Sequence, residues 1–335
     1  MVQIESSAPT RIDLAGGTLD IWPLYLFHDR AQTLNAAISL RAWCTIRARA
    51  DRRLRIVSGD TGHVVEAEHW SELKDNHELR LLGRLLHYFE AEALELHTRS
   101  ESPVGAGIAG SSALNIAVCG ALAAWSGKER TPDELMQIAM NVEAQAIDVP
   151  TGAQDYRPAI YGGISAVEFK VDGVRRIKLP VDAGELQRRL VLAYTNASRN
   201  SGINNWDVTK RHIDGDRDVY ARFERIRDIA GSMREALERN DWREVGRQVG
   251  EEWINRKGLA PGVTTPVIDT MLHAAREAGA LGGKVCGAGG GGCLFCLGDP
   301  DDVPAIREAL RKAGARLLDF HVETEGLRVE TRVIA

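Results

Sequence analysis

No stretch of this sequence stays apolar for anything near the roughly 20 residues that cross a bilayer, so a membrane span is excluded. The start, MVQIESSAPTRIDLAGG, lacks the basic end and continuous apolar run of a secretory signal, and a cytoplasmic location is expected. Charge of one sign is not in excess: 42 basic residues are interspersed with 47 acidic ones, net −5, which gives no nucleic-acid surface. The five cysteines, Cys44, Cys119, Cys286, Cys293 and Cys296, lack the paired spacing of a disulfide framework and are expected as buried thiols. CLFC at 293–296 has apolar, strand-like flanks, and residues three apart on a strand point to opposite faces, so one metal cannot easily take both sulfurs. There is no 20 to 50 residue repeat, no low-complexity tract, no long linker and no G-x-x-x-x-G-K-[ST] phosphate loop.

What is present, 335 residues with 44% hydrophobic and 27% charged, is the composition of a globular chain long enough for two domains. Strand-like runs at 33–50, 54–65 and 164–169 mix with helical periodicity near 78–97, 111–126 and 132–147, where Thr131 and Glu134 have capping-box spacing. Beyond 190 come a strand in RLVLAYT, helices near 216–238, 241–256 and 266–279, a strand in CLFCLG, a helix at 301–314 and a closing strand near 327–334. Without regular β-α-β alternation, the expectation is an α+β fold divided near 180–190, into residues 1–185 and 186–335.

PVGAGIAGSSAL at 103–114 satisfies G-x-G-x-x-G through Gly105, Gly107 and Gly110, yet a second capped helix comes next in place of the strand and acid of a dinucleotide fold. The simpler physics remains: glycines allow close approach, and a helix starting near Ser111 aims free N–H groups at an anion such as phosphate. Ser111 and Ser112 stand where a phosphate-loop hydroxyl also reaches Mg²⁺. A tight turn with a serine cap is the alternative.

Three further stretches carry polar groups at turns. APTRIDLAGGTLDIW presents Asp20 after a Gly-Gly turn, with Arg11 and Asp13 on one strand face, as ligand groups or as a solvent-facing pair. In VEAQAIDVPTGAQDY, Glu143 late on a helix and Asp155 beyond a turn suit a metal ligand and a base, or are solvated charges; Asp148 is assigned to capping. KVCGAGGGGC has four consecutive glycines, costly in backbone entropy, which points to close approach of a ligand or of the facing domain.

APTRIDLAGGTLD, PVGAGIAGSSAL and VCGAGGGGC, in this order and over most of the length, make the chain resemble the GHMP kinases: galactokinase, homoserine kinase, mevalonate kinase and phosphomevalonate kinase. The resemblance implies a two-domain α+β fold, with a ribosomal-protein-like N-terminal domain and a ferredoxin-like C-terminal domain, and ATP-dependent phosphorylation of a small-molecule hydroxyl in the cleft between them. It implies that Pro103, Gly105, Gly107, Gly110, Ser111 and Ser112 hold the ATP phosphates, that Ser112 and Glu143 hold Mg²⁺, that Asp155 takes the acceptor proton and that Arg11 lies beside it. Within the family the pattern is most similar to the sugar 1-kinases that include the heptose 7-phosphate kinases, on the double glycine of motif one, TLNAAI at 33–38 and GAQDY…YGG. A sugar or sugar-phosphate acceptor is therefore expected, near Asp20, Asn35, Arg199, Ser201, Gly289 and Gly290, with the last pair in the third motif. NASRNSGINN at 196–205 is read as a polar loop. A departure from the family is Leu19 where a threonine usually precedes the acid; Trp22 is expected in the core. Neither nucleic acid nor membrane is expected as a partner, while a homodimer, a mevalonate-type acceptor and a ligand sensor without turnover are left open.

Overall fold

The computed structural model describes residues 2–197 and 201–333, without the side chains of 201–204. In chain order the elements are β1 (Val2–Ala15), β2 (Gln32–Ala48), β3 (Leu54–Ser58), β4 (Val64–Ala67), α1 (Arg80–Tyr88), β5 (Leu94–Ser100), α2 (Gly110–Trp125), α3 (Pro132–Ile147), α4 (Tyr156–Tyr161), β6 (Ile164–Lys170) and β7 (Gly173–Lys178). They are followed by α5 (Ala183–Arg189), β8 (Leu190–Tyr194), α6 (Ser201–Ile213), α7 (Arg217–Glu238), α8 (Trp242–Lys257), α9 (Pro266–Glu277), β9 (Ala280–Val285), β10 (Cys293–Gly298), α10 (Val303–Lys312), β11 (Arg316–Leu318) and β12 (Arg328–Val333).

The strands form two sheets. In the first, β12, β1, β2, β5, β3 and β4 lie side by side, and β6 and β7 extend it from the N-terminal half of β2. Its one parallel pair is β3 with β5. The second is antiparallel, in the order β11-β8-β10-β9. The mixed architecture is the expected α+β arrangement.

Strand periodicity explains how the second sheet is covered. Leu190 and Leu192 of β8, with Cys293, Phe295 and Leu297 of β10, face a core shared with α7, α8 and the first sheet's Ile12, Leu14, Leu34 and Ile38. Their neighbours Val191, Ala193, Leu294 and Cys296 face α9 and α10. Cys293 and Cys296 thus occupy opposite faces, as the two-residue period requires, and all five cysteines are buried thiols. Strands buried on both sides read as the continuous apolar runs seen in RLVLAY and CLFCLG.

The helices are punctuated as their sequences dictate. Thr131 and Glu134 exchange the reciprocal bonds of a capping box before α3, with Pro132 at its first turn. α2, rich in alanine and buried on most sides, lies against β1 and β2. The turn after β1 is locked from the other side by Leu19, Ile21 and Leu24, packed on Val208, Val219 and Phe223 of α6 and α7. His28 continues this seam: its Nε2 lies 2.8 Å from Nε2 of His212, and its Nδ1 2.5 Å from Oε1 of Glu224.

Several expectations are corrected here. The helix expected over 78–97 ends at Tyr88, and β5 follows; Glu90 and Ala93 turn the chain with positive φ. The run at 54–65 is the start of a hairpin, β3 to β4. NASRNSGINN is not a loop throughout, because α6 begins at Ser201. Trp22 is 62% exposed rather than in the core. Residue 185 lies inside α5, and β12 returns to pair with residues 2–7 of β1 in the first sheet. No helix among the described residues is long and apolar enough to cross a membrane.

Candidate active site

A cavity of about 500 Å³ opens between the two sheets and gathers Arg11, Thr18, Asp20, Pro103, Gly105, Gly107, Gly110, Ser111, Ser112, Glu143 and Asp155. Most of the residues singled out in the sequence therefore meet at one place.

The glycine loop forms one wall. Gly105, Gly107 and Ala109 all have positive φ, and the curl delivers the chain into α2 at Gly110. Ala109 at the N-cap offers no side-chain acceptor, and the first turn of α2 holds no acid. The N–H groups and positive dipole end of this helix are thus left for an anion in the cavity. The loop is braced from behind: Arg11 N donates to Ile108 O at 3.0 Å, Arg11 Nη1 to Gly107 O at 3.0 Å, and Cys293 N to Ala106 O at 2.7 Å.

The acids take separate places. Glu143, near the end of α3, accepts from Ser111 Oγ at 2.9 Å, Ser112 Oγ at 3.3 Å and Tyr156 Oη at 2.6 Å. Burial pushes its carboxyl above the usual range, against the pull of the Tyr156 and Ser111 bonds. Hydroxyls and one carboxylate beside a phosphate-type helix end are the hard oxygen donors that suit Mg²⁺, which needs few protein ligands. Asp155, at the N-terminal end of α4, pairs with Arg11, whose Nη2 and Nε lie 2.6 and 2.9 Å from Oδ1. Burial opposes the Arg11 charge, but Asp155 and Asp13 outweigh it and raise its pKa.

Asp20 is buried opposite them and accepts from Gln154 N at 3.1 Å. Burial, and then repulsion from Asp155, raise its carboxyl from 3.8 to about 7. Since the folded value lies above the unfolded one, stability is fully present below about pH 4 and is lost as pH rises through 7, on the order of 4 kcal/mol in all. Asp20→Asn is therefore expected to flatten the pH dependence of the melting temperature between pH 5 and 8, with the gain confined to the upper end. A scan of melting temperature against pH, without ligands, checks this; equal slopes for both proteins would refute it.

Other expected site residues lie elsewhere. Asn35 is buried within β2, opposite Asp13, and bonds Thr33 Oγ1 at 3.1 Å, off the cavity. Gly289 and Gly290 also miss it: Gly290 N donates to Val263 O, and a Cβ on Gly289 would meet that carbonyl at 2.3 Å. Added at Gly292, it would stand 2.6 Å from Ala106 O. The glycine run therefore answers close approach of the facing chain, and only Gly287 and Ala288 reach the cavity. Leu19 is fully buried in the seam with α7, and the hydroxyl on the cavity wall is that of Thr18. Arg199 and the Ser201 side chain lie outside the described residues.

Some participants carry no sequence signal of their own. Gln154 and Tyr156 flank Asp155 in GAQDY and hold the other two acids. Ser58, Asp60, Thr61, Ser100 and Ser102 also line the cavity, on strands and turns with no signature. Arg256, from the last turn of α8, also reaches the wall.

The model of the GHMP kinases N terminal domain matches residues 76–163, and that of the GHMP kinases C terminal matches 233–316. A D-glycero-alpha-D-manno-heptose 7-phosphate kinase of Campylobacter jejuni is 32% identical over 98% of this chain and 99% of its own. A mevalonate kinase of Methanothermobacter thermautotrophicus is 33% identical over 77% of this chain and 85% of its own. Among solved structures, a D-glycero-D-manno-heptose 1-phosphate kinase from Bacteriodes thetaiotaomicron shares the fold, with a TM-score of 0.80 over 99% of this chain and 100% of that one at 24% identity.

Proposed function

The chain belongs to the GHMP kinase family, and from that premise we propose that it transfers the γ-phosphoryl group of ATP to a sugar phosphate, at the anomeric 1-hydroxyl of a heptose 7-phosphate. The observation that carries this reading is the shared cavity, in which an uncapped helix end, a carboxylate with two hydroxyls and an Arg-held acid face one space.

The loop at Gly105–Ser112 holds the phosphates through N–H groups and the α2 dipole. Ser111, Ser112 and Glu143 would hold Mg²⁺, which would supply charge neutralisation for the transferring phosphoryl group. Asp155 orients the acceptor hydroxyl and takes its proton as the acceptor oxygen bonds to the γ-phosphorus; the bond from that phosphorus to the bridging oxygen breaks, and ADP departs. Arg11 keeps Asp155 in place, and Asp20, carrying a proton over part of the neutral range, donates to or accepts from sugar hydroxyls. The arginines on the cavity wall, Arg11 and Arg256, already engage carboxylates and carbonyl groups. The cation for the acceptor's own phosphate is proposed from the sequence as Arg199, in NASRNSGINN. The cytoplasm, where ATP is made and buried thiols persist, is the proposed location.

The test is ADP release with Mg·ATP and a panel of heptose 7-phosphate, free heptose, hexoses, hexose phosphates and mevalonate. Turnover is expected to be fastest with heptose 7-phosphate. Arg199→Ala is expected to raise KM for the phosphorylated sugar about tenfold to hundredfold, leaving KM for ATP unchanged. Preference for mevalonate would favour the reading supported by the Methanothermobacter relative; silence with ATP still bound would favour a sensor.

A further inference from the structure

At the cavity wall, reached by Arg256, lie four charges with almost no access to water: Asp13 on β1, Glu252 and Arg256 on α8, and Lys284 on β9. Arg256 Nη2 is 2.6 Å from Glu252 Oε1 and 3.4 Å from Asp13 Oδ2; Lys284 Nζ is 3.4 Å from the same Asp13 oxygen and also contacts Glu252. Two cations and two anions balance. Such clusters are weak sources of stability, because desolvation of the ions offsets their attraction and apolar replacements often fold as well.

The remaining donors of Arg256 indicate what the cluster does. Nη2 donates to Gly17 O at 2.9 Å, and Nη1 to Thr18 Oγ1 at 3.2 Å and Gly287 O at 3.3 Å. One guanidinium thus joins the turn that presents Asp20 to the glycine stretch of the third motif. Thr18 is held at φ 74, a left-handed conformation costly for a residue with a side chain. Gly17 is glycine because of the close packing here, since a Cβ there would stand 2.3 Å from Asp13 Oδ2 and 2.9 Å from Arg256 Nη2.

We propose that Arg256 is a positioning residue for the acceptor: held rigid by Glu252 and Asp13, it sets the Thr18–Asp20 turn against Gly287 and thereby fixes Asp20 relative to Asp155. It acts through the turn and not on the substrate, because its N–H groups are taken up by protein acceptors. A lysine keeps the charge but loses the planar fork, so it cannot reach both backbones together.

The inference rests on the acceptor lying at Asp20 and Asp155, as proposed above, and the experiment separates the two ideas. Arg256→Lys is made with Thr18→Val, which puts a methyl group in place of the hydroxyl. With the acceptor that turns over best, Arg256→Lys is expected to raise acceptor KM and lower kcat, together about tenfold to hundredfold in kcat/KM. Affinity for a non-hydrolysable ATP analogue should stay within twofold. The double variant should fall short of the product of the single effects, because both changes cut one contact. In parallel, hydrogen exchange should quicken in peptides covering 16–22 and 286–290, but not in 105–112. A variant that melts lower yet keeps its acceptor KM, or shows unchanged exchange at 16–22, overturns the proposal. No turnover by the wild type refutes the proposed acceptor instead, and the exchange result still decides whether Arg256 sets the turn.

Discussion

Asp155→Asn is expected to lower kcat about a thousandfold, within the span general-base groups contribute, while the protein folds and binds ATP as before. Both Arg11 bonds fall on Oδ1, so the other carboxylate oxygen does not share them. Asparagine keeps an acceptor for Arg11, and with it the hold of Arg11 on Gly107 O, but its amide cannot take a proton. The loss should therefore appear in the chemical step. Single-turnover measurement with saturating ATP and acceptor, alongside calorimetric ATP binding, checks it. A rate within tenfold of wild type would remove Asp155 from the role of base, whatever happened to KM.

Glu143→Gln is the second large effect. The substitution keeps an oxygen for Ser111, Ser112 and Tyr156, but deletes the one negative charge among these donors. kcat/KM for Mg·ATP is expected to fall about a hundredfold or more, and the Mg²⁺ concentration for half-maximal rate to rise. Stability should take a different course. Burial raises the Glu143 carboxyl, so its ionisation weakens the fold as pH rises through the folded value. Without metal at pH 8, the glutamine variant should therefore melt no lower than the wild type. A large drop in melting temperature would mean that the carboxylate holds α2 to α3, and that the kinetic loss reflects that instead.

How much of the site is legible in the sequence depends on which property of a residue matters. The glycine loop, Glu143 and Asp155 can be found because phosphate-binding chemistry constrains residue type and local spacing together. Arg256 cannot: with Glu252 four residues earlier it reads as an ordinary exposed helical pair, and its other partners, Asp13, Gly17, Thr18 and Gly287, come from stretches that no helical spacing links to it. Lys284 stands at the head of the third motif, but its partners Asp13 and Glu252 come from other elements. β5 is hidden for a different reason. Its run, LELHTRS, comes directly after the helical LLGRLLHYFEAEA, and the break is made by Glu90 and Ala93, which no turn preference singles out. The third motif is read correctly in its physics, since its glycines do allow close approach, but what approaches Gly289 and Gly292 is the carbonyls of Val263 and Ala106.

The return of β12 to the edge of β1 bears on how the chain comes into being. Residues 2–7 emerge from the ribosome before the second sheet, while their partners at 328–333 emerge only after the whole second sheet has been made. Until then one edge of β1 carries unmatched backbone groups, the kind of template that recruits other strands. A fragment stopped after β7 would keep that edge open for good. The two halves are thus interleaved in time as well as in space, and cutting them apart for separate expression would expose the edge that the closing strand exists to cover.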